Sequence, residues 1–135
     1  MRRSTSAAPR ASPRLRPQPV PTVYYSGAAQ TVKATEYHHL TLSGSGAKTL
    51  PSEVLTVNGD FTLLGTVSAI AAAAIHTAGS FTIGSSASFE AGSFTHDLKG
   101  AFSNNNTFTA SDGGFTFTGT GDQAIGGTAS TTFNN

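Results

Sequence analysis

The chain has 135 residues, a length that suits one domain, and only 11% of them are charged, with a formal net charge of +1. It contains no cysteine, which excludes disulfide bonds and thiolate zinc sites. Gly, Ser, Thr, Ala and Asn dominate, while β-branched and aromatic residues carry most of the apolar content, so the composition favours β structure over helix.

Residues 1–22 differ from the rest of the chain. Five arginines and five prolines lie in this stretch with no acidic residue, whereas seven acidic residues follow it. Proline interrupts helices and strand ladders, and the apolar content is too low to drive burial. We therefore expect a disordered, basic, Pro-rich tail. Such a tail can bind nucleic acid or another acidic polymer, but no nucleic-acid module follows, and we expect no nucleic-acid partner.

The remainder, residues 23–135, repeats itself. The segment 58–63 (Asn-Gly-Asp-Phe-Thr-Leu) returns at 78–83 as Ala-Gly-Ser-Phe-Thr-Ile and at 99–104 as Lys-Gly-Ala-Phe-Ser-Asn. The spacing of about 20 residues is that of one solenoid coil and is too short for a repeat of paired helices.

Each repeat contains three strand-like groups in which apolar residues alternate with small polar ones. Alternation of this kind directs one set of side chains inward and the intervening Thr, Ser and Asp outward. The first group comprises Leu40/Leu42, Phe61/Leu63, Phe81/Ile83 and Phe102 with Asn104; the second, Leu50, Val67/Ala69, Ala87/Phe89 and Phe108/Ala110; the third, Leu55/Val57, Ile75, Phe94 and Phe115/Phe117.

Three short strands in a coil of about 20 residues predict an all-β, single-stranded parallel β-helix, or β-solenoid. Like residues should stack, so that Phe61, Phe81 and Phe102 form one interior column, with Asn104 in the column beside it. An asparagine in such a column is expected to bond its own backbone or a neighbouring coil. The longest apolar run, residues 69–75, is too short to cross a bilayer, and we expect no membrane insertion.

A longer repeat is superimposed on the coils. Tyr25-Ser26-Gly27, followed by Gln30 and then Tyr37, corresponds to Phe117-Thr118-Gly119, followed by Gln123 and then Phe133, at a separation of about 92–96 residues. This correspondence predicts that the chain is one segment of a longer array. The ends of such a segment present unpaired strand edges, so we expect it to associate end to end with further copies.

The stretches 37–50, 55–62 and 115–125 resemble the repeats of very large secreted, adhesin-like surface proteins of Bacteroidota, of the kind exported by type IX secretion with a C-terminal sorting signal. The resemblance covers nearly everything after Val23. It implies a non-enzymatic β-helical spacer or adhesive shaft, located outside the cell or at its surface, with surface glycans as a possible partner. It carries over no catalytic residue.

The histidines are the first candidates for a metal site. Neighbours on a strand point to opposite faces, so His38 and His39 are not expected to bind one metal together without a bend. His76 and His96 lie about one coil apart, and they are candidates for a stacked surface pair that binds a transition metal weakly. The alternative is a solvated turn or strand position for both, and we predict no metal site or cofactor.

The acidic, Thr and Gly residues carry no clear enzymatic signature. A glycosidase needs two converging carboxylates, and Asp60 is replaced by Ser80 and Ala101 in the next coils. The other acidic positions are spread out and are expected in turns or on separate faces: Glu53, Glu90, Asp97, Asp112 and Asp122. We therefore predict no calcium site and no catalytic residue.

Two alternatives to a structural protein remain. A carbohydrate-binding or carbohydrate-cleaving face would need exposed aromatics, and Tyr24 and Tyr25 are the only tandem pair. An ice-binding face would need Thr pairs in several successive coils, as at 107–109 and 116–118, whereas Thr62, Thr82 and Ser103 form a single file. The string 119–121 (Gly-Thr-Gly) lacks the Lys-Ser/Thr and the helix of a phosphate loop.

Overall fold

The computed structural model describes residues 22–133, and these form 16 short strands with no helix among them. In chain order the strands are β1 (Thr22–Tyr25), β2 (Gln30–Thr31), β3 (Glu36–Tyr37), β4 (His39–Leu42), β5 (Ser45–Thr49), β6 (Leu55–Val57), β7 (Phe61–Leu63), β8 (Thr66–Ile70), β9 (Ile75–Thr77), β10 (Phe81–Ile83), β11 (Ser88–Glu90), β12 (Thr95–Leu98), β13 (Phe102–Asn104), β14 (Thr107–Thr109), β15 (Gly114–Phe117) and β16 (Ile125–Gly126). The predicted tail lies outside the described residues, apart from Thr22, which begins β1.

The strands build three parallel sheets around one interior, which confirms the β-solenoid with three strands per coil. Sheet A has the order β1-β4-β7-β10-β13-β16, sheet B the order β2-β5-β8-β11-β14, and sheet C the order β3-β6-β9-β12-β15. Each strand pairs with the strand one coil away, because neighbours in every sheet are three strands apart in the chain. Backbone groups are therefore satisfied between coils.

Sheet A follows the predicted register. Phe61, Phe81 and Phe102 pair in succession, and Leu63, Ile83 and Asn104 pair beside them. All six are fully buried. The Asn104 side chain donates hydrogen bonds to the Ser130 carbonyl oxygen (2.9 Å) and to Thr131 Oγ1 (3.2 Å), as expected for a structural asparagine.

Glycine explains why the Gly-x-Phe motif recurs. Gly59, Gly79 and Gly100 stand at the same corner of three successive coils, where the backbones approach too closely for a side chain. A Cβ on Gly79 would lie 2.6 Å from the Gly59 carbonyl carbon, and one on Gly100 would lie 2.5 Å from the Gly79 carbonyl carbon. Real Cβ atoms do not tolerate such distances, so each coil repeats the glycine.

Sheet C departs from the prediction at one coil. His96, rather than Phe94, stacks between Ile75 and Phe115 in the interior, as the pairing of β12 with β9 and β15 requires. Phe94 precedes the strand and is only partly buried. Ile75 lies 20 residues after Leu55, whereas His96 lies 21 residues and Phe94 only 19 residues after Ile75, so the coil that is one residue longer brings His96 to the inward position.

Sheet B also holds an unpredicted interior residue. Lys48 pairs with Gln30 on one side and Ala69 on the other, in the column that continues through Phe89 and Phe108. Leu50 is buried as expected, but it aligns with the following position, Ala71, and not with Val67 or Ala69.

The two copies of the long repeat of about 92–96 residues do not occupy equivalent places in the coils, whereas the longer array stays a prediction. Tyr25 lies in β1 of sheet A, whereas Phe117, its proposed equivalent, lies in β15 of sheet C. One local likeness remains: Gln30 Oε1 accepts the Gly27 N–H, and Gln123 Oε1 accepts the Gly119 N–H. The segments that begin at Tyr25 and Phe117 are therefore similar because both contain a turn with the same hydrogen bond, and they occupy different places in the coil.

The two ends of the solenoid differ. At the C-terminal end, the Phe133 ring packs at centroid distances of 5.5–6.1 Å against the last interior rings, those of Phe102, Phe108, Phe115 and Phe117. At the N-terminal end, Val23 pairs with Leu40 and belongs to the same column, but it remains 37% exposed. Among the described strands, β1 pairs only with β4.

Candidate functional site

Two clusters of polar side chains stand out on the solenoid surface, one on sheet C and one on sheet A. Both are assembled from several coils by the parallel register. The cluster on sheet C consists of His76, Asp97, Lys99 and Thr118, and we call it the sheet C cluster. The cluster on sheet A contains Tyr24, His39, Asp60 and Thr62, and we call it the sheet A cluster.

The sheet C cluster is organised around the Asp97 carboxylate. Thr118 donates a hydrogen bond to Asp97 Oδ1, while His76 Nδ1 lies 3.5 Å and Lys99 Nζ 3.8 Å from Asp97 Oδ2. The Thr118 hydroxyl is the main influence that holds the pKa of Asp97 below its usual value. Lys99 Nζ also donates to Thr118 Oγ1 at 3.3 Å.

The groups of the sheet C cluster therefore satisfy one another. Both oxygens of Asp97 face partners from neighbouring coils, and a hollow of about 220 Å³ beside them is also lined by Thr56 in β6 and by Asn58, in the bend after β6, whose side-chain amide already donates to Glu36 Oε1. His76 and Lys99 are about half exposed, so solvent screens these ion pairs and they contribute little to stability. The sheet C cluster is therefore a row of surface side chains from successive coils that bond to one another.

The sheet A cluster leaves polar atoms free. The Asp60 N–H donates to His39 Nδ1 at 2.9 Å, and Asp60 Oδ1 accepts the Ser80 N–H at 2.8 Å. These two bonds fix the imidazole ring and the carboxylate group in place. The side chain of Tyr24, one coil before His39, is 64% exposed. A shallow hollow of about 300 Å³ connects these groups with Thr22, Thr41 and Thr62.

The histidine expectations are partly wrong. His38 lies at a bend between β3 and β4, and the rings of His38 and His39 meet edge to face at 4.8 Å instead of pointing to opposite faces. His76 and His96 do not form a surface pair, because His96 is fully buried while His76 is exposed. Among residues 22–133, no group of three or more His, Asp or Glu side chains is placed to hold a metal ion.

His96 is a satisfied interior residue. Its Nδ1 accepts the Ile75 N–H at 3.0 Å, so the neutral ring carries its proton on Nε2, which donates to the Ala91 carbonyl oxygen at 2.9 Å. Burial is the main influence that lowers the pKa of this imidazole. The neutral form therefore fits the interior, and the surface-metal interpretation of His96 is excluded by its burial.

The buried amine of Lys48 was not foreseen. Lys48 is 1% exposed, and its Nζ donates to the carbonyl oxygens of Gly27 (2.8 Å) and Ala28 (2.6 Å) and to Gln30 Oε1 (2.9 Å). Burial lowers the pKa of this amine. The alternation of inward and outward residues could have indicated that Lys48 is buried, because Lys48 lies two residues before the inward-facing Leu50.

The remaining acidic residues lie apart. Glu36 is exposed in β3, where it accepts the Asn58 side-chain amide, Glu90 is on the outer face of sheet B, Glu53 is in the loop after β5, Asp112 is in the turn before β15, and Asp122 is in the loop before β16. The turn at Asp112 agrees with the sequence prediction. Within the described part of the chain, the carboxylates of Asp60 and Asp97 lie on different sheets, so they do not form a converging pair.

The outer Thr positions do not make a regular array. Thr41, Thr62, Thr82 and Ser103 form the predicted single file on sheet A. On sheet B, Thr107 and Thr109 pair with Ser88 and Glu90, and the coil before these presents Ser68 and Ile70. Paired Thr residues therefore do not recur in successive coils of this sheet.

No protein-family model, curated protein sequence or solved structure matches this chain. The described residues contain no helix long and apolar enough to cross a membrane.

Proposed function

We propose that this chain is a non-enzymatic structural and adhesive segment of an extracellular surface protein or filament. The observation that supports the proposal most strongly is the unbroken register of three parallel sheets around one apolar interior. Such a stack has no internal domain boundary at which it could bend. The proposed function follows from this stiffness, because a shaft that does not bend holds other parts of an assembly at a fixed distance.

The expected dimensions follow from strand spacing. Parallel neighbours lie about 4.8 Å apart, so the six strands of sheet A span about 24 Å along the solenoid axis. Each coil contacts only its neighbours, so further coils would lengthen the shaft in proportion to their number.

The surface supports an adhesive role outside the cell. Small hydroxyl residues cover much of the outer faces, and charged residues are few. This surface agrees with the resemblance to secreted adhesin-like repeats. Immunogold labelling with antibody against this chain should mark intact cells of the source organism. Labelling that appears only after permeabilisation would refute the extracellular proposal.

We further propose that copies associate end to end through the edge of β1. Val23 is exposed there, and among the described strands β1 pairs only with β4. The interior column at the opposite end is packed by Phe133, so the contact is expected to rely on strand edges such as Ile125–Gly126 rather than on an open core.

Analytical ultracentrifugation should show association that increases with concentration. Replacing Val23 with Lys should weaken it, and Val54→Lys, at an exposed loop residue, serves as the control. A single monomeric species at all concentrations would contradict the contact.

A further inference from the structure

The sheet A cluster combines three features that occur together nowhere else on the described surface: an exposed aromatic ring, a fixed carboxylate and a fixed imidazole. Tyr24 supplies the ring, Asp60 the carboxylate and His39 the imidazole, and all three line one hollow of about 300 Å³. Their side chains come from three successive coils and are brought together by the register of β1, β4 and β7.

Hydrogen bonding within the cluster sets the role of each polar atom. Because His39 Nδ1 accepts the Asp60 N–H, the neutral ring carries its proton on Nε2, which is available as a donor. Because Asp60 Oδ1 is engaged by the Ser80 N–H, Oδ2 remains as an acceptor. Oδ2 lies 3.8 Å from His39 Nδ1, and two acceptors do not bond each other. The cluster therefore presents one donor and one anionic acceptor in fixed positions.

We propose that the sheet A cluster binds one residue of a neutral saccharide. A sugar ring has an apolar face of C–H groups that can lie on the Tyr24 ring, and it has adjacent hydroxyls that can donate to Asp60 Oδ2 and accept from His39 Nε2. Sites of this kind pair an apolar surface with a few fixed polar groups. The Thr62 hydroxyl adds a further polar contact at the edge of the hollow.

Charge selects against other ligands. The six lining residues include no Lys or Arg, and Asp60 contributes a negative charge. A phosphate, a sulfate or a uronic acid would be repelled by this carboxylate, whereas a neutral sugar is not. A metal ion would need more ligands than His39 and Asp60 provide.

The site is one subsite and not a long groove. Along the outer file, the positions that follow Asp60 are Ser80 and Ala101, and the file beside it continues from Thr62 to Thr82 and Ser103. Neither an aromatic ring nor a carboxylate recurs there. With one ring face and two fixed hydrogen-bonding groups, we expect a dissociation constant of about 1 mM. The inference names the partner class of the proposed adhesive segment.

The test uses the full chain and a defined set of tetrasaccharides in NMR titrations. Four probes are neutral (cellotetraose, mannotetraose, chitotetraose and β-1,4-galactotetraose), and one is anionic (tetragalacturonate). At least one neutral probe should shift the amide signals of Tyr24, His39 and Asp60, and the anionic probe should not. If none of the neutral probes shifts these amides, or if only tetragalacturonate does, the inference is wrong.

Matched variants separate binding from folding. Tyr24→Ala should weaken the observed affinity at least tenfold and Tyr24→Phe less than threefold, because phenylalanine keeps the ring face. Asp60→Asn should weaken it about fivefold while retaining an oxygen for the Ser80 N–H. Glu90→Gln, on the outer face of sheet B, should change nothing. Equal loss in Glu90→Gln and Tyr24→Ala would overturn the inference, whereas the cell-surface labelling and ultracentrifugation experiments test the structural proposal separately.

Discussion

Phe81→Ala should destabilise the protein by about 4–5 kcal/mol, the upper part of the range for the loss of a core phenylalanine. The Phe81 ring is fully buried, with centroids of four other phenylalanine rings at 5.0 Å (Phe61), 4.9 Å (Phe89), 5.7 Å (Phe102) and 5.5 Å (Phe115). Three of these contacts are edge to face and the one with Phe102 is stacked; aromatic pairs in either arrangement add about 0.5–1.5 kcal/mol to the effect of burial alone.

The cavity left by Phe81→Ala should not collapse. The backbones above and below are held by the ladder, in which the Phe61 N–H donates to Ser80 and the Phe81 N–H donates to Ala101, both at 2.9 Å. A cavity that stays open retains the full cost of the lost contacts.

Equilibrium unfolding in guanidinium chloride, followed by circular dichroism, measures the effect of Phe81→Ala. Phe94→Ala is the matched control, because it deletes the same atoms from a half-buried ring outside the columns. It should cost about 1–2 kcal/mol, less than the 3–5 kcal/mol of a full core position. A loss below about 2 kcal/mol for Phe81→Ala, or one no larger than that of Phe94→Ala, would mean that the interior register is wrong.

Three further substitutions test the corner, the interior histidine and the buried lysine. Gly79→Ala should cost about 1–3 kcal/mol in chemical unfolding, since its Cβ would meet the coil below at 2.6 Å, whereas Gly121→Ala, with open space around it, should change little. Because burial lowers the pKa of His96, the unfolded chain binds the proton more readily, so stability should fall as pH drops below about 6.5, by at most about 1.4 kcal/mol per pH unit for this group. His96→Leu should remove that contribution while costing about 1–3 kcal/mol for the Ile75 N–H left without its acceptor, and a His96→Leu stability curve that keeps the full pH slope of the wild-type protein would contradict the assignment. Lys48→Met should cost about 1–3 kcal/mol and increase amide hydrogen exchange in residues 27–31, because the carbonyl oxygens of Gly27 and Ala28 each lose the bond from the amine, although Gly27 keeps the Ser45 N–H; unchanged exchange would show that the amine does not hold this segment.

The sequence allowed the architecture and sheet A to be predicted because steric demands recur in every coil. The close corner requires glycine at 59, 79 and 100, and the residue two positions later must fill the interior. Because this demand for glycine and then an interior residue recurs in successive coils, it is visible in the sequence as a repeat. It fixed the positions of Phe61, Phe81 and Phe102 without knowledge of any other part of the chain.

The same reasoning failed where coil length varies. Phe94 and His96 have the same strand parity, so alternation alone could not decide which of them occupies the column of Ile75 and Phe115. Hydrophobicity favoured Phe94, but the chain gains one residue before β12 and places His96 there, where two backbone partners satisfy the ring. The interior accepts this imidazole because both of its nitrogens are hydrogen-bonded to backbone groups.

The sheet A cluster could not have been predicted as a unit. Tyr24, His39 and Asp60 are far apart in the sequence, and only the exact register of three coils places them in one hollow. The distinction between this cluster and the one around Asp97 depends on which side-chain atoms are already bonded. Sequence patterns contain no information on that point, because each cluster contains a His, an Asp and a Thr whose bonding depends on the coordinates.

Lys48 holds the first described coil, called the first coil below, against the second. The strand β2 contributes only two residue pairs to its ladder with β5, so the backbone alone holds the segment around Gln30 weakly. Lys48 adds three hydrogen bonds from the second coil to the first, and Ala69, in the next coil of the same column, has a small side chain. An apolar residue at this position would pack against the column but would remove the Lys48 bond to the Ala28 carbonyl oxygen and one of the two donors to the Gly27 carbonyl oxygen, which also accepts the Ser45 N–H. A buried amine does both, with an aliphatic stem in the interior and an ammonium head among carbonyl oxygens. The first coil is therefore held by side-chain hydrogen bonds where its strand is too short to be held by the sheet.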